Sequence, residues 1–166
     1  MNPLIRESFY AHLGGPVVRR THFFRGRFEN IYLPLELMPE VSNVLIFVKH
    51  AAGEVLGHSA NDIRVGFWFN LMQPGEVTTR HTHDDDDELL SAVYYLTVPR
   101  DSGELILYPP RGPVYILPQE GRLLLFSPDL PHEVSENCST ESRLSIGMNM
   151  ARCELNVVAA DTDREI

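Results

Sequence analysis

Cysteine is scarce in this chain. Two stand in 166 residues, Cys138 and Cys153, with no CxxC pair. That excludes a disulfide framework and a zinc ribbon, and both are expected as reduced thiols. Long apolar runs are missing too. No stretch reaches the roughly 18 residues of a membrane helix, and the start MNPLIRESFYAHLGG lacks the apolar centre of a signal peptide. A soluble, cytoplasmic protein is the expectation. Positive charge is also in short supply: 14 basic residues face 23 acidic ones, a net charge of −9. Phosphate backbones and anionic membranes need a basic patch, so neither nucleic acid nor a membrane is an expected partner. Repeats and low-complexity linkers are absent. What remains is a globular composition, 43% apolar and 22% charged, expected to form one domain over residues 1–166.

The chain changes character near Gly57–Asp62. Residues 1–60 carry helical signals. The clearest helix runs from about Pro39 to Leu56, where Val41, Val44, Leu45, Val48, Ala52, Val55 and Leu56 recur with a 3.6-residue period. Pro39 suits its first turn and Gly57 its stop. The stripe is core packing and would back a sheet. Residues 61–160 read as strands. The runs are 65–71, 92–98, 104–108, 114–117, 122–127, 143–149 and 154–159, rich in β-branched and aromatic residues. Turn chemistry such as QPGE, PRDSG, PPRGP and PQEG separates them. Short strands so punctuated predict a mainly β fold, a double-sheet jelly roll with N-terminal helices packed outside.

The informative segment is Gly75-Glu-Val-Thr-Thr-Arg-His81-Thr-His83, followed by Asp84–Asp87 and Glu88. Two residues apart on a strand, His81 and His83 would share a face. Two imidazoles on one face can grip one metal ion, and carboxylates beside them can complete or orient the site. His132, in SPDLPHEV, supplies a third imidazole from a distant strand end. Two ligands from one strand and one from afar is a non-haem iron pattern. His12, His22, His50 and His58 have no partner pattern and are expected as ordinary surface or core residues.

Several stretches together resemble the 2-oxoglutarate and iron(II)-dependent oxygenases. They are His81-Thr-His83, Ser91-Ala-Val-Tyr-Tyr95-Leu, Gly103-Glu-Leu-Ile-Leu-Tyr-Pro109, Pro118-Gln-Glu-Gly121-Arg-Leu-Leu-Leu-Phe126, Pro131-His132-Glu-Val134 and Arg143-Leu-Ser145-Ile-Gly-Met-Asn149. The likeness, to the prolyl-hydroxylase-like branch and to a second, uncharacterised 2OG-Fe(II) oxygenase branch alike, covers about residues 66–150. It implies a double-stranded β-helix, iron(II) as cofactor, and 2-oxoglutarate and O2 as co-substrates. It implies C–H hydroxylation with release of succinate and CO2. The family's metal triad is HxD/E…H. Its first and last histidines fall on His81 and His132. The basic residue that holds the far carboxylate of 2-oxoglutarate falls on Arg143, with Ser145 and Tyr95 beside it. Arg suits that task because its planar fork pairs bidentately with a carboxylate.

The middle ligand departs from the pattern. Where the family has Asp or Glu, this chain has His83. Either the ligands are His81, His83 and His132, which is favoured, or His83-Asp84-Asp85 is the true HxD and Asp85 coordinates. A cupin reading uses the same first segment, with Glu88 as a further ligand and no 2-oxoglutarate. It lacks the second cupin motif, since Pro128-Asp-Leu-Pro-His132 is not PxGxxH. The substrate, a small molecule or a peptide, would be selected by rim segments, with Asn61–Arg64 and Pro109–Pro113 as candidates. A homodimer is compatible with the fold. The block Asp84–Glu88 holds five of the negative charges beside the histidine pair, which favours a neutral or cationic substrate.

Overall fold

The computed structural model describes residues 1–83 and 87–153. The expected run 154–159 and Asp85 lie outside the described residues.

Among the described residues, ten strands form two antiparallel sheets. The larger runs in the order β1 (Arg19–Phe24), β2 (Arg27–Tyr32), β3 (Ile63–Met72), β10 (Arg143–Arg152), β5 (Glu88–Thr97) and β8 (Leu123–Phe126). The smaller runs β4 (Thr78–His81), β9 (His132–Val134), β6 (Leu105–Leu107) and β7 (Val114–Ile116). Two sheets facing each other are the jelly roll that the strand pattern predicts. Helices α1 (Asn2–His12) and α2 (Ser42–Leu56) pack against β5 and β3 respectively.

Strand β10 shows how sequence alternation builds both a core and a cavity. Leu144, Ile146, Met148 and Met150 are fully buried in one cluster with Ile5 and Phe9 of α1 and Val44, Val48 and Ala52 of α2. Arg143, Ser145, Gly147 and Asn149 alternate with them and line a cavity on the opposite side. The period of two along a strand dictates this division. Apolar side chains of this size contribute about 1.5–3 kcal/mol each when fully buried, so β10 anchors the domain while aiming polar groups inward. α2 follows its expected stripe except at Val55, which is exposed. It ends where Gly57 adopts φ 68° in the left-handed region.

The N-terminal third is not purely helical. Strands β1 and β2 form a hairpin that extends the large sheet. Phe24 pairs with Arg27 across a two-residue turn, Arg25-Gly26, whose φ values are 44° and 85°. Positive φ at both central residues is the hairpin turn whose twist matches the strands. Arg27 staples the hairpin down. It donates to the carbonyls of Leu71 (3.2 Å) and Val77 (2.9 Å) and to Thr78 Oγ1 (3.0 Å).

Gly103, just before β6, sits at φ 90°, and a Cβ there would lie 2.3 Å from the Ser135 carbonyl oxygen. Backbone cannot yield as a flexible side chain can. Gly103→Ala is therefore expected to destabilise the fold by about 1–3 kcal/mol. A urea unfolding midpoint identical to that of the parent would contradict this.

Candidate active site

The strand pairing brings the distant histidines together. His81 at the end of β4 is the cross-strand partner of His132 at the start of β9, and their ring centroids lie 4.3 Å apart. His83 is not on the strand as expected, because β4 stops at His81. Its backbone N–H instead donates to the Pro128 carbonyl at 2.8 Å, and this contact turns the chain so that the third ring still joins the other two. The His83 and His132 rings stack at 5.1 Å and 10°. Trp68 stacks on His83 at 5.6 Å and 20°, and Phe126 meets His132 edge-on at 4.8 Å.

One potential ligand atom from each histidine falls within 4.8 Å of the other two. Hydrogen bonds fix which nitrogens of two rings face inward. A carbonyl only accepts, so His81 Nδ1 donates to Thr79 O (2.6 Å) and His132 Nδ1 donates to Leu130 O (2.9 Å). A ring that carries its proton on Nδ1 keeps its lone pair on Nε2, the form a metal requires. Burial pushes His132 down to about 4, with His81 adding to the shift and the Leu130 carbonyl opposing it. His132 is thus neutral at physiological pH. Nε2 of His81 and Nε2 of His83 are 3.1 Å apart. Two nitrogens about 2.1 Å from one ion, at right angles, would be about 3 Å apart, so the geometry fits a shared metal. His83 Nδ1 faces the Asn149 amide at 3.1 Å. That amide also contacts Glu88 and accepts from Ser91 Oγ at 3.1 Å.

The large sheet supplies the opposite wall. Arg143 is 2% exposed. Its NH1 donates to the carbonyls of Ser102 (3.3 Å) and Gly103 (3.1 Å), while its buried Nε has no hydrogen-bond partner. Burial lowers its guanidinium to about 10, which leaves it charged at neutral pH. A buried cation with an unused donor can take an anion from outside the fold. Ser145 lines the cavity two residues on, directly across from Asn70 of β3. The buried Asn70 Oδ1 also has no hydrogen-bond partner. Tyr95 is 1% exposed and pairs with Ser145 across the strands. Its ring centroid is 5.8 Å from the Arg143 guanidinium carbon. It stands beside Arg143, although it is not among the residues lining the cavity. Burial raises its phenol above the ordinary value, with Arg143 opposing.

Histidines and arginine share one cavity of about 510 Å³. None of the expected rim residues 61–64 or 109–113 lines it. The rim is instead the β1–β2 hairpin, through His22, Phe23 and Phe24. His22, expected to be ordinary, thus stands at the mouth with φ 58°. Glu88 lines the cavity too, but is not in the three-histidine ligand group among the described residues. Both cysteines are free and exposed, as expected. No helix among the described residues is long and apolar enough to cross a membrane.

Comparison with known proteins defines the class. The family model of the 2OG-Fe(II) oxygenase superfamily matches residues 67–151, just over half of the chain. The chain belongs to that superfamily. It is an oxidoreductase working with iron(II), 2-oxoglutarate and O2. Among solved structures it is similar to a prolyl-4-hydroxylase from Pseudomonas putida, with TM-score 0.68 and 22% identity over 92% of this chain and 88% of that one. It is also similar to a Trichoplax adhaerens prolyl hydroxylase in complex with a hypoxia inducible factor peptide fragment. There the TM-score is 0.71 and the identity 19%, over 91% of this chain and 78% of that one. A third is EvdO2 from Micromonospora carbonacea var. aurantiaca, complexed with 2-oxoglutarate. Its TM-score is 0.65 and its identity 14%, over 92% and 81% of the two chains. These likenesses concern the fold. No curated protein matches the chain in sequence.

Proposed function

We propose that this chain is a dioxygenase that hydroxylates a C–H bond of a small-molecule or peptide substrate and releases succinate and CO2. Its metal would be held by His81, His83 and His132. The observation that carries the reading is the three converging imidazoles facing a buried, underused Arg143 across one cavity.

Iron(II), when bound with 2-oxoglutarate and O2, supplies the oxidative decarboxylation and the C–H oxidation. The chain supplies position and charge. Nε2 of His81 and of His132 are held in their metal-binding tautomer by the Thr79 and Leu130 carbonyls. Three neutral imidazoles leave the two positive charges of the ion for an anionic co-substrate to balance. Arg143 would take the distal carboxylate of 2-oxoglutarate, with the Ser145 hydroxyl alongside and Tyr95 packed against the guanidinium. Trp68 and Phe126 cover two of the histidine rings and keep water from that side. The peptide bound to the Trichoplax relative supports keeping peptides in the substrate class. The cupin alternative gives way to the superfamily match.

Metal stoichiometry of point variants tests the ligand set. His83→Ala is expected to lose the bound ion, whereas Asp85→Ala and Glu88→Ala keep it. Full occupancy in His83→Ala would remove His83 from the set, and loss of the ion in Asp85→Ala would make Asp85 a ligand and put His81 in doubt.

A further inference from the structure

We infer that the substrate of this oxygenase carries a positively charged nitrogen, an amine or guanidine, held by Glu29 beside the histidine triad; the inference rests on the oxygenase reading above. Glu29 belongs to the β2 strand of the hairpin, is 7% exposed and lines the cavity. Its Oε1 contacts Arg27 NH2 and the Thr79 backbone N–H, both at 3.4 Å. Oε2 makes no hydrogen bond among the described residues. The same Thr79 accepts from His81 through its carbonyl. A single residue of β4 therefore connects Glu29 to the first histidine.

A carboxylate buried in a cavity is costly unless its charge is met. Arg27 meets it only partly, because its Nε also lies 3.5 Å from Glu76 Oε2, so one guanidinium faces two carboxylates. Arg143, the other buried cation nearby, is matched by the distal carboxylate of 2-oxoglutarate in the proposed complex. With 2-oxoglutarate facing Arg143 and the histidines, the acidic side chains that line the rest of the cavity are Glu29 and, on the far side, Glu88. The remaining wall suits a cation as well. Tyr32 and Trp68 stand together, 6.4 Å between centroids, and line the cavity with Phe24. Tyr32 already takes one cation on its ring, the Arg19 guanidinium at 4.4 Å. Aromatic faces next to a carboxylate hold ammonium and guanidinium groups with apolar bodies.

Trp68 is the only tryptophan in the chain and lines the cavity, so its fluorescence reports occupancy in the metal-free protein, independent of turnover. Two probe pairs separate the sources of such a cation. Phenethylamine against 2-phenylethanol represents a free amine, and N-acetyl-lysine methylamide against its norleucine counterpart represents a peptide side chain. At least one cation is expected to bind about tenfold or more tightly than its neutral partner. The preference should vanish in Glu29→Gln and persist in Glu7→Gln on the exposed face of α1. Arg27 retains Glu76 as counter-charge in Glu29→Gln. Should that variant fail to fold, the double replacement Arg27→Gln/Glu29→Gln leaves no unpaired charge at this pair and serves instead. Equal binding within both pairs overturns the proposal, as does a preference that survives loss of Glu29. Absence of 2-oxoglutarate turnover would instead count against the oxygenase reading and leave the fluorescence result standing.

Discussion

Replacing Arg143 by leucine is expected to weaken 2-oxoglutarate binding by about a hundredfold or more while metal affinity stays within a few-fold of the parent. Truncating one partner of a buried, hydrogen-bonded charge pair costs about 2–5 kcal/mol, and each 1.4 kcal/mol is about tenfold. Arg143 is 2% exposed and its Nε meets no group of the fold. No exposed cation on the rim can substitute at that depth. Arg143→Lys should fall between the two, since an ammonium keeps the charge but not the planar fork. The variant also loses two bonds to the Ser102 and Gly103 carbonyls. Calorimetric titration of folded protein separates that structural loss from binding. Parent-like affinity in the leucine variant would remove Arg143 from the co-substrate site.

His132→Ala should abolish metal binding and, with it, metal-dependent stabilisation. Loss of an outer hydrogen-bond partner typically costs 10–100-fold in metal affinity, and a direct ligand costs more. An ion present at a hundred times its dissociation constant stabilises the folded parent by about 2.7 kcal/mol. For a chain of this size that is a rise in Tm of about 5–10 °C. The variant should show no rise. His132 is 6% exposed and is the register partner of both His81 and Leu107, so some loss of intrinsic stability is expected as well. Comparing each protein with and without metal isolates the ligand effect. A metal-dependent shift in His132→Ala equal to the parent's would contradict the assignment.

The sequence was most legible where one face of a strand is buried. Along β10, apolar and polar residues alternate so cleanly that both the core and the inward-facing Arg143 and Ser145 follow from the order of residues. β3, β5 and β8 are legible as apolar stretches instead, without that alternation. β4 and β9 are four and three residues long, too short to show a period, and were legible only through their histidines. The hairpin is not legible in the sequence because β1, RRTHFF, is almost entirely exposed and has no apolar face. Its one local signal was the Arg25-Gly26 turn between phenylalanines. Without that hairpin the rim falls on residues 61–64 and 109–113, whereas the hairpin's His22, Phe23, Phe24 and Glu29 line the cavity. The HxH spacing reads His83 onto the strand of His81, yet β4 stops at His81 and His83 still lies close to His81 and His132. A strand would have placed it beside His81, whereas a hydrogen bond to Pro128, 45 positions along the chain, does so in fact. Contacts of that kind carry no local periodicity to read.

The central claim is that three histidines and Arg143 together support 2-oxoglutarate chemistry. Succinate formation from 2-oxoglutarate under air, with and without iron(II), tests it most directly. The account predicts succinate that depends on iron, is lost in His81→Ala and His132→Ala, and is strongly reduced in Arg143→Leu at sub-saturating 2-oxoglutarate. Iron-loaded, folded protein that neither binds 2-oxoglutarate nor yields succinate, with amines and peptides supplied, would contradict it.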